Sequence, residues 1–522
     1  MFDAKSMTNV ADIARVQARE AGDAIALQFG NRKTTYRELD RRSSQIANGL
    51  AALGVKPGQR VGYLGKNSDR FFEILYGAVK AGAALAPVNW RLAEPEIAHI
   101  LNDAECSVLF VGAPFYEIAC RIFSESHNLR RLIAVDGGAE DLTDFETWRD
   151  RQSDSDPMRP SDAQDDVVQL YTSGTTGLPK GVQLTNENLI VQIDQASQIG
   201  VCDYQQGDTA LICMPVFHIA GVNMGLFVLC QGARGIVISE IDPGAVLKLI
   251  ETERVKYAFF VPAVILSLLQ HPNSATTDYS SLELITYGAS PISDHVLVEA
   301  QKTMGCGFLQ LYGLTETTGG VCILPPSDHV AGSKRLRSCG VAYPCAEIRV
   351  VDADGKSVPT GEVGEIVIRS PVVMKAYWNQ PEAYAKAVVG GWFHSGDAGY
   401  FDADNYLYIH DRVKDMVVTG GENVYPAEVE NALFGHPAIA DVAVIGVPDE
   451  KWGEAVKAIV VLKPGAVASA EELGAHARKA IAGYKVPKSF DFVETLPRNA
   501  SGKVLRRDLR EPYWRGRERQ IS

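Results

Sequence analysis

The stretch Tyr171-Thr172-Ser173-Gly174-Thr175-Thr176-Gly177-Leu178-Pro179-Lys180-Gly181 is the most informative part of the sequence. It follows the apolar run Val167–Tyr171, which predicts a strand, and it combines hydroxyl groups, glycines and one lysine. Glycines let backbone N–H groups close around an anion, hydroxyls add donors, and Lys180 adds a positive charge. The stretch therefore predicts a cradle for a polyphosphate. It does not fit G-x-x-x-x-G-K-[ST], and the chain has no G-x-G-x-x-G, which disfavours a dinucleotide-binding oxidoreductase.

Length, composition and charge narrow the class of protein. The chain has 522 residues, 46% of them hydrophobic and 22% charged, with a formal net charge of −13. The excess of acidic residues argues against bulk binding to nucleic acid or to an anionic membrane. Nine cysteines occur without a C-x-x-C pair, which is typical of reduced thiols in a cytosolic protein. Neither a signal core nor an apolar run of about 20 residues is present, so we expect a cytoplasmic protein without a transmembrane segment.

Strand and helix signals alternate through the first 310 residues. The segment Thr35-Tyr36-Arg37-Glu38 has the spacing of a capping box and precedes an amphipathic run that ends at Gly54. The alternation predicts an α/β fold, with parallel or mixed sheets covered by helices. After residue 330, short β segments separated by Gly and Asp turns predict a small antiparallel unit. We predict a large N-terminal domain over residues 1–413 and a small, mobile α+β domain over residues 414–522.

Five segments, in order along nearly the whole chain, resemble the motifs of the adenylate-forming superfamily. This group contains acyl- and aryl-CoA synthetases, adenylation domains of peptide synthetases and firefly luciferase. The five segments are Tyr171–Gly181, Tyr312–Glu316, Ser395–Asp397, Asp411–Asp415 with the following Gly420–Asn423, and Pro497–Lys503. The resemblance implies that a carboxylic acid reacts with ATP to give an acyl-adenylate and pyrophosphate. A thiol, usually that of CoA, then takes the acyl group and releases AMP, and Mg²⁺ is required.

The resemblance also implies roles for single residues in the first half-reaction. Lys503 bridges the acid and the α-phosphate, Thr315 contacts that phosphate, and Glu316 and Thr172 hold Mg²⁺. His218 lies beside the acyl carboxylate, although a buried histidine without a role in catalysis is an equally open interpretation. The implied contacts to ATP or AMP are Thr172, Ser173, Gly174, Thr175, Thr176, Lys180, Gly288, Ala289, Ser290, Tyr312, Gly313, Asp397 and Arg412.

For the second half-reaction, the resemblance implies a rotation of the C-terminal domain about Lys414. Gly420 and Gly421 then line the channel for the thiol, because glycine permits close approach. Trp452 and Lys485 are candidates for contacts with CoA. A half-buried aromatic ring and a solvated charge are the alternative interpretations of these two residues.

The acid itself is the least determined part of the function. The resemblance places an acyl pocket at Ala220, Gly221, Met224, Gly319, Gly320 and Val321. No Arg or Lys is among these residues, and a buried unpaired carboxylate is costly, so a diacid is disfavoured. We expect a medium- or long-chain fatty acid or another hydrophobic acid, with an aryl acid of the cinnamate or benzoate type as the alternative.

The acceptor and the oligomeric state are inferred less directly. The segment Gly420–Glu428 looks most like that of stand-alone acyl-CoA ligases, so CoA is the expected acceptor. An acyl-AMP ligase that loads a carrier protein remains an alternative. The sequence leaves a homodimer open.

Overall fold

The computed structural model describes residues 4–138, 142–172, 179–201, 203–290, 292–412, 415–419, 422–449, 452–499 and 502–515. In these residues strands and helices alternate along most of the chain, as the sequence predicts. No helix in these ranges is long and apolar enough to cross a membrane.

The strands are numbered in chain order. They are β1 (Ile25–Phe29), β2 (Arg32–Thr35), β3 (Arg60–Leu64), β4 (Ala84–Pro87), β5 (Val108–Val111), β6 (Arg131–Ala134), β7 (Thr143–Asp144), β8 (Asp166–Thr172), β9 (Lys180–Thr185), β10 (Thr209–Ile212), β11 (Arg234–Val237), β12 (Tyr257–Phe260), β13 (Leu284–Gly288), β14 (Gly307–Leu314), β15 (Gly319–Leu324), β16 (Val341–Ala342), β17 (Glu347–Val351), β18 (Gly364–Arg369), β19 (Ala376–Tyr377), β20 (Val388–Val389), β21 (Trp392–Phe401), β22 (Leu407–Arg412), β23 (Val417–Thr419), β24 (Glu422–Val424), β25 (Ile439–Asp449), β26 (Gly453–Leu462) and β27 (Ser489–Phe492).

The helices are numbered in the same way. They are α1 (Asp12–Glu20), α2 (Tyr36–Ala52), α3 (Asp69–Lys80), α4 (Glu94–Asp103), α5 (Tyr116–Glu125), α6 (Phe145–Asp150), α7 (Asn186–Gln198), α8 (Ile219–Cys230), α9 (Pro243–Thr252), α10 (Pro262–Gln270), α11 (Asp294–Met304), α12 (Pro381–Ala387), α13 (Pro426–Phe434), α14 (Ala470–Ala477) and α15 (Arg506–Trp514).

Two mixed sheets form the large N-terminal domain. Across the described residues, one has the strand order β16-β15-β14-β13-β12-β10-β11-β1-β2, and the other has β19-β9-β8-β4-β3-β5-β6-β7. The central pairs of both sheets are parallel, such as β12 with β13 and β3 with β4, while β8 pairs with β9 in the antiparallel sense. The predicted α/β architecture with parallel and mixed sheets is confirmed.

Helix α3 lies between the two sheets and is buried along its whole length. It contacts β4 and β8 of one sheet and β1 of the other, which explains why its sequence is apolar on more than one face. Helix α8 is buried almost throughout and packs closely on α3. A Cβ added at Gly225 of α8 would stand 2.0 Å from the ring of Phe72, so the helices can approach this closely only with glycine there.

Two predictions of local structure are confirmed. Thr35 caps α2: its side chain accepts a hydrogen bond from the Glu38 amide at 3.2 Å, and the Glu38 carboxylate accepts one from the Thr35 amide at 2.9 Å. The predicted antiparallel unit is the sheet β17-β18-β21-β20, with β22 paired to β21.

A small C-terminal unit follows the antiparallel sheet. Strands β24, β23, β26 and β25 form one sheet with β27, and α13, α14 and α15 pack around it. Its apolar side chains, among them Val417, Val444 and Leu473, form a core separate from that of the two large sheets. The C-terminal α+β domain is thus present as predicted, whereas the boundary at Lys414 stays a prediction, because Lys414 lies outside the described residues.

A buried carboxylate stabilises the layer that contains α3. Glu73 is 1% exposed, and its two oxygens accept hydrogen bonds from Arg42 at 3.0 Å and from Arg149 at 2.9 Å. Burial raises the pKa of Glu73, and the two guanidinium groups oppose that shift. Arg42 also pairs with Glu38 and Arg149 with Asp150, so Glu73 joins two ion pairs into one network, and its charge is the most deeply buried of them.

We predict that Glu73→Gln lowers the free energy of unfolding by about 3 kcal/mol, because two guanidinium groups lose the buried carboxylate that they share. The matched control is Glu240→Gln, which removes the partner of Lys66 at a site where Glu240 is 44% exposed. Glu240→Gln should lower the free energy of unfolding by less than about 1 kcal/mol. Thermal unfolding of both variants measures the difference. Equal melting temperatures for the two variants would contradict the proposed importance of the buried network.

Candidate active site

A cavity of about 2570 Å³ is the place where the sequence motifs meet. Residues far apart in the chain contribute to its wall: Thr172 and Lys180, Gly313 to Glu316, Ser395 and Gly396, and Lys503. His218 lines it as well. Asp415 of the Asp411–Asp415 motif also lines it, so the fold brings residues of all five motifs to one space.

Thr172 and Lys180 stand opposite each other where the phosphate-loop motif begins and ends. They are register partners in the antiparallel pair β8 and β9. Lys180 Nζ lies 5.2 Å from the centre of the Tyr377 ring. Ser173, Gly174, Thr175 and Thr176 lie outside the described residues, so their predicted phosphate contacts stay predictions.

Glu316 lies on a short 3₁₀ turn that directly follows β14. Its carboxylate Oε1 accepts a hydrogen bond from the Tyr377 hydroxyl at 3.0 Å, and its backbone carbonyl accepts one from the Met374 amide at 2.8 Å. Strand β19, which carries Tyr377, pairs with β9, which begins at Lys180. Tyr377 was not among the predicted residues, because nothing in the sequence marks a lone tyrosine outside the motifs.

The residues around Glu316 fit a magnesium ion that is held mainly by a substrate. Among the described residues, no group of three or more His, Cys, Asp and Glu side chains could hold a metal by itself. Mg²⁺ is commonly bound by one or two carboxylates together with substrate phosphates and water. Glu316 and the Thr172 hydroxyl line the same cavity and offer oxygen ligands of this kind.

Tyr312 and Asp397 form a buried pair. The Tyr312 hydroxyl donates a hydrogen bond to Asp397 Oδ2 at 2.8 Å, and both residues are less than 10% exposed. Burial raises the pKa of the Tyr312 phenol, and the charge of Asp397 acts in the same direction. The backbone of Asp397 pairs with that of Arg412, whose side chain lies outside the description.

The segment Gly288-Ala289-Ser290 lies at the end of β13, next to Tyr312. Gly288 is in register with Leu311 on β14, so Tyr312 follows at the carboxyl end of the same parallel pair. A Cβ on Gly288 would stand 2.4 Å from the Leu311 carbonyl oxygen. Ala289 has φ of +68° and lines the cavity. The carboxyl ends of parallel strands are the usual place for ligands in open α/β sheets.

His218 begins helix α8 at its N-cap position. Burial lowers the pKa of His218 to about 4, and the positive charge of Arg91 acts in the same direction. The imidazole is therefore neutral at physiological pH. Arg91 lines the same cavity, and no sequence pattern had singled it out.

Lys503 follows a tight turn in the C-terminal unit. Gly502 has φ of +79°, and a Cβ added there would stand 3.2 Å from Val261 of the N-terminal domain. The Lys503 amide donates a hydrogen bond to Asn499 Oδ1 at 2.9 Å. This turn places Lys503 on the cavity wall that also includes Thr315.

Only some of the predicted acyl-pocket residues line the cavity. Ala220, Met224, Gly319 and Gly320 line the cavity. Among the described residues, Gly221 and Val321 do not line it: Gly221 packs on backbone carbonyls, with a Cβ position 2.3 Å from Pro215 O, and Val321 is fully buried. Asn223, which the sequence also places after His218 in this pocket, lines the cavity, and so do Gln192, Phe227 and Phe259, which the sequence did not indicate.

The predicted CoA contacts differ in their surroundings. Trp452 is 43% exposed, whereas Lys485 donates hydrogen bonds to both carboxylate oxygens of Glu428 at 2.7 Å. The charge of Lys485 is thus already balanced within the C-terminal unit. Gly420, Gly421 and Lys414 lie outside the described residues, and their roles stay predictions.

We predict that His218 stays neutral down to about pH 4, because burial disfavours the imidazolium ion. Nuclear magnetic resonance of protein labelled at the histidine ring carbons measures this, and His218→Asn identifies the signal. The unfolded chain binds this proton below about pH 6.5, so the contribution of His218 to stability falls as the pH is lowered from there towards 4. A midpoint near 6.5 in the folded protein would show that the ring is not buried.

Family models and relatives of known function match nearly the whole chain. The family model of the AMP-binding enzyme matches residues 14–378, and that of the AMP-binding enzyme C-terminal domain matches residues 428–503. The chain is similar to a fatty acid–acyl-carrier-protein ligase of Streptomyces coeruleorubidus, with 40% identity over 94% of each chain. It is also similar to a feruloyl-CoA synthase of an Amycolatopsis species, with 41% identity over 95% of this chain and 97% of the relative.

A solved structure extends the similarity to three dimensions. The anthranilate CoA ligase AuaEII in complex with anthranoyl-AMP matches with a TM-score of 0.91 and 28% identity, over 98% of this chain and 99% of that one. The family models, the relatives and the fold all lead to the same assignment. The chain belongs to the AMP-binding enzymes of the adenylate-forming superfamily, and it is an AMP-forming acid–thiol ligase.

Proposed function

We propose that this enzyme joins a hydrophobic carboxylic acid to CoA, in two steps that share the described cavity. The observation that carries the proposal is the convergence of Lys503, Lys180, Glu316 and His218 on this cavity from distant parts of the chain. These side chains supply the two cations, the carboxylate and the neutral ring that an anionic acid and a nucleotide require.

In the first step, the acid carboxylate attacks the α-phosphorus of ATP. A bond forms between a carboxylate oxygen and phosphorus, the bond to the bridging oxygen breaks, and pyrophosphate leaves. Lys503 and Lys180 offset the negative charge that two anions bring together, an effect that is strongest in a site shielded from water. His218 is neutral and lies on the same wall, so it can orient the acid by a hydrogen bond without competing for a proton.

The nucleotide is held by the pair Tyr312 and Asp397. The Asp397 carboxylate has one oxygen bonded to the Tyr312 hydroxyl, and the other can accept a ribose hydroxyl. Tyr312 and Ala289 lie on neighbouring strands, at the ends that face the cavity lined by Ala289, and we assign the adenine base to this place. Mg²⁺, held by Glu316 and Thr172, would neutralise phosphate charge.

In the second step, the thiolate of CoA attacks the acyl carbon and AMP leaves. We propose that the C-terminal domain rotates about Lys414 between the first and the second step. The separate core that begins at Val417 supports a boundary near this position, because a unit with its own core can move as one body. The channel residues Gly420 and Gly421 are included in this proposal.

The identities of the acyl acceptor and of the acid are the more specific parts of the proposal. The relatives include ligases named for CoA and one named for an acyl carrier protein. We choose CoA, because the segment Gly420–Glu428 resembles that of stand-alone CoA ligases. The acids in the names of the relatives, a fatty acid and ferulate, correspond to the two classes that the sequence left open.

Pyrophosphate release over a panel of fatty, aryl and dicarboxylic acids, with and without CoA, tests the function. Lys503→Ala should reduce adenylation on the order of 10²-fold or more, because a charge that stabilises the transition state is lost. The same variant should convert supplied acyl-adenylate and CoA at nearly the wild-type rate. An equal loss of rate in both assays would show that Lys503 does not act specifically in adenylation. Thioester formation with a carrier protein but not with CoA would show that the acceptor is a carrier protein.

A further prediction concerns the metal. Glu316→Gln should raise the Mg²⁺ concentration needed for half-maximal pyrophosphate release, because a neutral amide is a weaker ligand than a carboxylate. The control is Tyr377→Phe, which removes the hydrogen bond to Glu316 and keeps its charge. Tyr377→Phe should shift the Mg²⁺ requirement much less. An unchanged requirement in Glu316→Gln would show that Glu316 does not bind the metal.

A further inference from the structure

The segment Ser395–Asp397 forms a β-bulge in strand β21. On the neighbouring strand β18, Val367 is in register with His394 and Glu365 with Ala398, so three residues of β21 stand opposite a single residue of β18. The glycine of the segment has φ of +69°. Bulges bend a strand, change the direction of its side chains and are frequent next to active sites. The position of the carboxylate at the end of the segment therefore depends on how this bulge is held.

Side chains supply the hydrogen bonds that a bulge removes from the strand pairing. The Gly396 amide donates a hydrogen bond to Glu365 Oε1 at 3.1 Å. The Asp397 amide donates to Ser395 Oγ at 3.1 Å, and that hydroxyl donates to the Ile366 carbonyl at 2.7 Å. A backbone N–H group that is withdrawn from water without a partner costs free energy. These contacts therefore stabilise the bulge in one conformation.

Both carboxylate oxygens of Glu365 accept hydrogen bonds from strand β21. Oε1 accepts the bond from the Gly396 amide, and Oε2 accepts one from His394 Nδ1 at 2.8 Å. The side chains of Glu365 and His394 are 30% and 27% exposed, and both residues line the cavity together with Gly396. Since each oxygen already has a donor on β21, Glu365 is placed to act through the bulge rather than by contact with the nucleotide.

The bulge ends at a carboxylate that is also held from the opposite side. Asp397 is 5% exposed and accepts a hydrogen bond from the Tyr312 hydroxyl at 2.8 Å. Tyr312 lies on β14 of the nine-stranded sheet, whereas Asp397 belongs to the antiparallel sheet. A hydrogen bond weakens steeply when its distance or angle departs from the preferred values. A shift of the bulge would therefore change how the Asp397 carboxylate meets a ribose hydroxyl.

We propose that Glu365, oriented by His394, is a positioning residue for nucleotide recognition, because it fixes the bulge that directs Asp397 towards the ribose. This inference rests on the proposed function, in which Asp397 accepts a ribose hydroxyl. Glu365 precedes Gly396 by 31 positions and lies outside the five sequence motifs. Loss of its carboxylate should weaken recognition of the ribose and leave recognition of the acid unchanged.

The test compares ATP with 2′,3′-dideoxy-ATP, which lacks both ribose hydroxyls, in the pyrophosphate assay. In the wild type, kcat/KM should favour ATP on the order of 10²-fold, because hydrogen bonds to a charged acceptor are the stronger ones. Glu365→Ala should reduce this ratio roughly tenfold by impairing the use of ATP, because the acceptor no longer meets the ribose in a good geometry. The KM for the acid should stay unchanged. Glu365→Gln should keep most of the ratio, since its amide oxygen can still accept the Gly396 amide.

The matched control is Glu347→Ala on strand β17 of the same sheet. Glu347 pairs with Arg349 at 2.6 Å and its side chain is 44% exposed, so its loss should leave the nucleotide ratio unchanged. A second comparison uses Asp397→Asn, in which the added Glu365→Ala change should alter the ratio no further, because both changes act on one interaction. If Glu365→Ala does not fold, Glu365→Asp replaces it, because its shorter side chain keeps the charge and withdraws the oxygens from β21.

The outcomes separate the inference from the proposed function. A role of Glu365 in stability alone would lower the use of both nucleotides equally, and a folded Glu365 variant with the wild-type ratio overturns the inference. A wild-type ratio near one overturns it as well, while acid-dependent pyrophosphate release leaves the ligase function in place. Failure to release pyrophosphate from ATP with every acid of the panel overturns both.

Discussion

The burial of helix α3 between the two large sheets, and of α8 against one of them, is the constraint on which the site depends. α3 contacts strands of both sheets, and α8 can pack on it closely because Gly225 meets the Phe72 ring. This packing fixes where α8 begins and which residues of its first turns face the cavity. His218 at its start and Asn223 one turn and a half further on are therefore held by the core of the domain rather than by a loop.

The electrostatics of the cavity follow from the same arrangement. Lys180 and Lys503 come from different domains, and the carboxylate of Glu316 lies on a turn bonded to Tyr377. His218 is half-buried in the cavity wall, and it stays neutral because desolvation and the positive charge of Arg91 both disfavour the imidazolium ion. Two lysines, a carboxylate and a neutral ring thus line one cavity, which suits a reaction between two anions better than proton transfer by histidine.

The acyl side of the cavity differs from a plain apolar tunnel. Small glycines in β15 leave space, and aromatic side chains supply apolar walls. The side chains of Gln192 and Asn223 also line it and make part of that wall polar.

The sequence by itself determined the class of reaction, the alternation of strands and helices, and the motif residues that line the cavity. Motif residues carry that information locally, since a glycine-rich phosphate loop or a capping box depends on neighbours within a few positions. Only the tertiary structure decided that Tyr377 bonds Glu316 and that Arg91 lies near His218. It also decided that Glu365 bonds the Gly396 amide and that Gly221 and Val321 do not line the cavity. Asn223 and Thr318, for example, are 95 positions apart, and contacts over such distances are set by how sheets and helices pack, which no local pattern records.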